Sequence, residues 1–155
     1  MAVAPIPPGY ASVTPYLIVR GAKKAIDFYQ RAFGAVELFR LDGPDDTIAH
    51  AEIRIGNSPV MLAEGSEGYN DPLKLGGSPV SFMLYVPDVD AAFARAIAAG
   101  GTVKRPVADQ FYGDRTGTLA DPFGHVWSLG THVEDVTSEE MNRRLQELMK
   151  PAAGA

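Results

Sequence analysis

Two stretches of this chain, VTPYLIVRGAKKAIDFYQRAFGAV from Val13 and VSFMLYVPDVDAAFARAIAAGGTV from Val80, align at an offset of 67 positions. Identical residues recur under that offset: Val13 with Val80, Leu17 with Leu84, Val19 with Val86, Ala25 with Ala92, Ala32 with Ala99, Gly34 with Gly101 and Val36 with Val103. The pattern carries more than the identities. Each copy runs from an apolar strand through a short turn (Arg20-Gly21, Pro87-Asp88) into a helical segment, then to Gly and a Val-led strand. The fold is therefore built from two equivalent modules. Duplicated modules place a binding cleft, or at least an interface, where they meet.

Continuing the same reading predicts a β-α-β-β-β order twice. The first module, 11–66, holds strands over 13–19, 36–41, 48–55 and 59–63 and a helix over 22–33. The second, 79–133, holds strands over 79–86, 102–107, 115–120 and 126–130 and a helix over 89–99. Residues 64–78, with four Gly and no periodicity, read as a linker or cleft-edge loop. A further helix is predicted over 136–150: Thr137 and Glu140 have capping-box spacing, Met141, Leu145, Leu148 and Met149 share one face, and Pro151 stops it. That apolar face is expected to cover its own domain, or else a twin subunit.

Composition excludes several classes. The 155 residues suit one compact domain or two intimately packed small ones, and 46% hydrophobic with 21% charged residues is a folded soluble composition. A net charge of -5 with scattered basic residues argues against nucleic acid as a partner. The absence of cysteine removes disulfide and thiol chemistry and fits a reducing compartment. No apolar run is long enough for a membrane span, and MAVAPIPPGY lacks the regions of a signal peptide, so a cytoplasmic protein is expected. There is no Walker-type phosphate loop, no G-x-S-x-G elbow and no His-Glu-x-x-His helix.

Four segments, TPYLIVRGAKKAIDFYQRAFGA, HAEIRIGNSPVMLAE, YVPDVDAAF and YGDRTGTLADPFGHVWSL, carry a family resemblance over Val13 to about Val133. The chain resembles the vicinal-oxygen-chelate superfamily of glyoxalase I, bleomycin-resistance proteins, fosfomycin-resistance enzymes and extradiol dioxygenases, most of all its PhnB-like branch. The resemblance implies an α+β fold of tandem βαβββ modules, forming a curved mixed sheet with a cleft. It also implies a homodimer, since many relatives pair modules across subunits; whether the cleft lies within one chain or across two stays open. In metal-using relatives the cleft holds a divalent ion on the first and last strands of each module, positions that fall here on Thr14, Met61, Ser81 and Ser128. A thioether and three neutral hydroxyls supply neither the charge nor the field of a usual site. No metal is expected there, and no cofactor.

Strand alternation turns Thr14, Tyr16, Ile18, Ser81, Met83 and Tyr85 toward the cleft and Leu17, Val19, Leu84 and Val86 toward the helices. Opposite the apolar Ala51, Ile53 and Ile55, the same rule places His50, Glu52 and Arg54 in or beside the cleft. His50 and Glu52 are the catalytic candidates: an acid-base pair, half of a relocated metal site, or a hydrogen-bonded surface pair. In Gln110-Phe111-Tyr112-Gly113-Asp114-Arg115, Tyr112 and Arg115 could stack on a planar ligand and anchor an anion, or an Asp114–Arg115 pair could stiffen the loop. Asp121-Pro122-Phe123-Gly124 reads as a structural turn, His125 and Trp127 as core or helix-facing, and His132 as solvated.

The leading expectation is a protein that binds a small organic molecule through Thr14, Tyr16, His50, Glu52, Met61, Ser81, Tyr85, Tyr112, Arg115 and Ser128. The alternative is a metal-dependent lyase, isomerase or dioxygenase using one divalent ion near His50 and Glu52. A third reading is a mainly structural dimer.

Overall fold

The computed structural model describes residues 3–151, so Met1 and Ala2 of the Pro-rich start and residues 152–155 lie outside the described residues. The first module comprises β1 (Tyr16–Val19), α1 (Ala22–Phe33), β2 (Val36–Asp42), β3 (Ile48–Ile55) and β4 (Ser58–Glu64). After α2 (Pro72–Leu75), the second module repeats the order as β5 (Ser81–Tyr85), α3 (Val89–Ala99), β6 (Thr102–Asp109), β7 (Asp114–Ala120) and β8 (Val126–His132). The chain then enters α4 (Ser138–Leu148). Helices α1 and α3 keep the bounds that periodicity predicts. The linker differs from the expected loop by one turn of helix. Asp71 caps α2, accepting from the backbone N–H of Leu73 and Lys74, and Pro72 stands at its first turn.

The strands form two four-stranded sheets, ordered β1-β4-β3-β2 and β5-β8-β7-β6, each with one parallel pair and the rest antiparallel. The duplication is visible in register. Tyr16 pairs with Met61, and 67 positions later Met83 pairs with Ser128. It is visible in capping too. Glu64, ending β4, accepts from Gly21 and Ala22 N–H at the start of α1, and Thr131, in β8, accepts from Val89 N–H at the start of α3. A side chain from the module's last strand thus meets an orphan donor at the start of α1 and of α3, where Asp88 also takes Ala91 N–H.

The modules join back to back through their helices. Arg31 on α1 donates to Ala99 O at the end of α3, and Arg95 on α3 donates to Ala32 O at the end of α1, so each helix supplies a cation to the other's negative terminus. One core spans the junction, with Phe28, Tyr29, Phe33, Phe123 and Trp127 in mutual ring contact. Helix α4 does not cover its own domain, the first of its two expected roles, and only Met141 of its apolar face is half-buried. None of its residues is buried, and Leu145, Leu148 and Met149 stay exposed rather than covering their own domain. Arg144 holds the helix by its polar side, with bonds to Glu134, Glu140 and Phe111 O, which leaves the apolar face outward. Among the described residues no helix is long and apolar enough to cross a membrane.

Candidate functional site on the open sheet faces

Each sheet buries one face against the helices and leaves the other open, and strand alternation decides which side chains stand there. Leu17, Val19, Ala51, Ile53 and Ile55 are buried on the helix side. Tyr16, Met61, Glu52 and Phe39 are successive cross-strand partners on the open side of the first sheet. In β3 the pairing slips between Leu41–His50 and Asp42–Ile48, leaving Ala49 as the extra residue of a bulge. Bulges re-aim side chains, and this one turns Ile48 into the core, while alternation with Glu52 keeps His50 on the open face between Tyr16 and Phe39, its ring centroid 5.5 and 6.4 Å from theirs.

Four side chains there form a hydrogen-bonded chain. Tyr16 Oη lies 2.8 Å from His50 Nδ1, His50 Nε2 lies 3.1 Å from Glu52 Oε1, and Tyr10 of the N-terminal arm donates its hydroxyl to Glu52 Oε2. The carboxylate accepts, so His50 Nε2 carries the proton, and in the neutral ring Nδ1 accepts from Tyr16. The bonds from Tyr10 and then His50 hold the Glu52 carboxyl below the usual carboxylate range. Burial chiefly pushes the Tyr16 hydroxyl up and keeps its proton on. The arrangement can pass a proton between Tyr16 and Glu52 through the imidazole, or offer a ligand one fixed hydroxyl. Beside it a hollow of about 460 Å³ is lined by Tyr16, Ile18, Ala49, Ala63, Glu64, Ser66 and Tyr69.

The second sheet presents different chemistry. Met83, Ser128, Thr118 and Arg105 form the equivalent row of cross-strand partners, with Thr118 and Ser128 hydroxyls hydrogen-bonded at 2.9 Å. A separate hollow of about 260 Å³ includes Ser81, Met83, Arg105, Tyr112, Thr118 and Ser128 in its lining. Tyr85 donates to Asp114 Oδ2 at 2.7 Å, while His132 Nδ1 and Nε2 lie 2.7 and 2.8 Å from Asp114 Oδ1 and Asp135 Oδ1. An imidazole with a carboxylate at each nitrogen must donate twice. Asp135 and then Asp114 accordingly raise its pKa.

The predicted residues divide as follows. Tyr16, His50, Glu52 and Met61 cluster on the first open face, and Ser81, Tyr85, Tyr112 and Ser128 stand on or beside the second; Thr14 lies just ahead of β1. Arg115 requires correction. It shares parity with the buried Leu119, lies on the helix side and is bound to Asp90 of α3 and to Asp109, while Asp114 pairs with Tyr85 and His132 instead of with Arg115. His132 is likewise an ion-pair hub and not simply solvated. His125 and Trp127 lie in the core, as expected: both are buried, with His125 bonded to Ile18 O and Trp127 to Asp121. Tyr10, Thr116, Thr118 and Arg105 were missed. Alternation around Leu119 could have found the two threonines, whereas nothing local marks Tyr10.

The donor set at the family's metal positions does not suit a divalent ion. Met61 and Ser128 occupy matching central places in the two sheets, and hydroxyls fill the other two. Among the described residues no three His, Asp or Glu side chains group as a metal cluster. On the first open face His50 and Glu52 are the only imidazole and carboxylate brought together among the described residues, at 3.1 Å from each other, and both nitrogens of His132 beside the second are taken up by Asp114 and Asp135.

Comparison with known proteins agrees with the architecture. An uncharacterized Mycobacterium tuberculosis protein is 48% identical over 136 residues, which span 84% of this chain and 79% of that one. The crystal structure of TioX from Micromonospora sp. ML1 matches with a TM-score of 0.63 and 28% identity over 82% of this chain and all of that one. The PhnB protein of Bacillus cereus, 18% identical, shares the fold at a TM-score of 0.61 over 78% of this chain and 99% of its own. Residues 10–129 match the Glyoxalase/Bleomycin resistance protein/Dioxygenase superfamily, and the chain belongs to that family.

Proposed function

We propose that this protein binds a small organic molecule between the open face of its first module and the open face of a second module supplied by another copy of the chain, with no metal at the family's position. The observation that carries this reading is the Tyr16–His50–Glu52–Tyr10 chain beside a 460 Å³ hollow: the titratable pair is bonded internally and to two tyrosines. Ligand pockets of roughly 300–1,000 Å³ with a few convergent polar groups fit such molecules. Pairing of two copies is supported by the back-to-back modules, whose open-face hollows share no lining residue, and by the exposure of Phe39, Leu41, Met83 and Val103 on the sheets.

The test combines three measurements on untagged protein. Light scattering should give a dimer that Phe39→Asp weakens, metal analysis should give well under one ion per chain, and a metabolite screen should find compounds that raise the melting temperature. A ligand at one hundred times its Kd adds about 2.7 kcal/mol. A monomer, or a screen with no stabilising compound, overturns the reading. A second reading, a metal-dependent lyase, isomerase or dioxygenase with an ion at His50 and Glu52, is favoured by the closeness of those two side chains. One ion per chain, lost in His50→Ala, would select it.

A further inference from the structure

The hollow on the second module is separate from the His50–Glu52 chain and has its own chemistry. Of the nine arginines in the sequence, seven make side-chain hydrogen bonds among the described residues; Arg54 and Arg105 do not. Arg105 lies on the edge strand β6, where it is the cross-strand partner of Thr118, which in turn partners Ser128. It therefore lines the hollow with a guanidinium that no carboxylate neutralises. The two carboxylates of the neighbouring segment are occupied elsewhere, Asp109 with Arg115 and Asp114 with Tyr85 and His132.

The hydroxyls complete the case. Thr118 and Ser128 bond each other at 2.9 Å, so one of their two protons is free to point into the hollow. Thr116 is 8% exposed, and its hydroxyl bonds no described residue. No buried side-chain polar atom among the described residues lacks a partner, so the Thr116 hydroxyl opens on the hollow that it lines. An arginine without a carboxylate partner, lining the same hollow as hydroxyl donors, makes a site for an oxyanion. Met83, Phe82 and Tyr112 supply an apolar and aromatic wall beside it.

We propose that this hollow takes the oxyanion head of a small organic ligand, a carboxylate or a phosphate monoester, with Arg105 as its counter-charge and with Thr116 and the free proton of the Thr118–Ser128 pair as hydrogen-bond donors. This deepens the small-molecule reading, naming the ligand as anionic with a compact head. At about 260 Å³ the hollow is below the usual size for a whole drug-sized ligand, so the rest of the molecule extends out of it.

The experiment is a titration of the full chain with benzoate, phenyl phosphate and neutral benzamide, followed by amide chemical shifts of Thr116, Thr118 and Ser128. Saturable shifts with benzoate or phenyl phosphate and none with benzamide are expected, and the tighter of the two names the head group. Arg105→Gln, on an exposed edge position, should leave the melting temperature unchanged and weaken the anion by about tenfold or more, the least a charge-assisted hydrogen bond contributes. Ser128→Ala should weaken it less. No saturable shift with either anion, equal binding of benzamide, or affinity unchanged in Arg105→Gln overturns the proposal. A metabolite that stabilises wild type and Arg105→Gln equally would overturn this site alone and leave the binding cleft standing.

Discussion

Tyr29 on α1 donates its hydroxyl to Asp121 Oδ2 at 2.7 Å, across 92 residues of sequence and the junction between the modules. The same oxygen accepts from Trp127 Nε1 at 3.0 Å, while Oδ1 accepts from the backbone N–H of Phe123 and His125. The aspartate of the turn thus closes its own loop and ties the second module to the helix of the first. Burial, and next the Asp121 charge, push the Tyr29 hydroxyl far above its ordinary pKa. Tyr29→Phe should destabilise by about 1.5–3 kcal/mol, the range for a hydrogen bond to a charged group. Asp121→Ala should cost more, because four donors lose their acceptor. Urea unfolding reads both, and a Tyr29→Phe protein as stable as wild type would remove the bond from the account.

His132 makes stability depend on pH near neutrality. Its folded pKa is raised by Asp135 and Asp114, so its contribution is fully present below the unfolded value of about 6.5 and is lost as pH rises through the folded value. The melting temperature should fall over that window in wild type and stay flatter in His132→Gln. An unchanged profile in the variant would show that the pairing contributes nothing.

Glu52 works in the opposite sense. Its folded pKa is lowered, so its contribution is present above the unfolded value of about 4.3 and is lost as pH falls through the folded value. Tyr10 is the largest cause, and Tyr10→Phe should raise the Glu52 pKa while leaving the His50 bond in place. Carboxyl carbon shifts followed by NMR measure this directly. A Glu52 titration indifferent to Tyr10 would detach the N-terminal arm from the site.

Gly113 sits at φ +99°, and a Cβ there would strike the carbonyl oxygen of Glu134. Its own carbonyl accepts from Val133 and Glu134 N–H, which docks the segment leading to α4. Gly113→Ala should destabilise by about 1–3 kcal/mol and loosen that segment. Faster amide exchange at Val133 and Glu134 is the expected signature; wild-type exchange and stability would contradict it.

Much of this architecture is written locally. Helices Ala22–Phe33 and Ala-rich Val89–Ala99 follow from short-range periodicity ended by Gly34 and Gly100, and β3 from alternation about Ala51, Ile53 and Ile55. Met61 entered through the family resemblance, whereas the same alternation turned Tyr16, His50, Glu52, Ser81, Tyr85 and Ser128 toward the open faces, because a side chain's face depends on its own strand. It would also have turned Arg115 toward the helices, since Arg115 shares parity with Leu119. Partners are another matter. Tyr10 with Glu52, Tyr85 with Asp114, Asp114 with His132 and Arg115 with Asp90 join residues whose separation in sequence carries no preferred distance. The sequence by itself determined two modules, their elements and the faces of their strands. Only the tertiary structure decided that the modules stand helix to helix with their open faces apart, because that choice rests on long-range packing of Tyr29, Phe33 and Trp127, which no local pattern encodes.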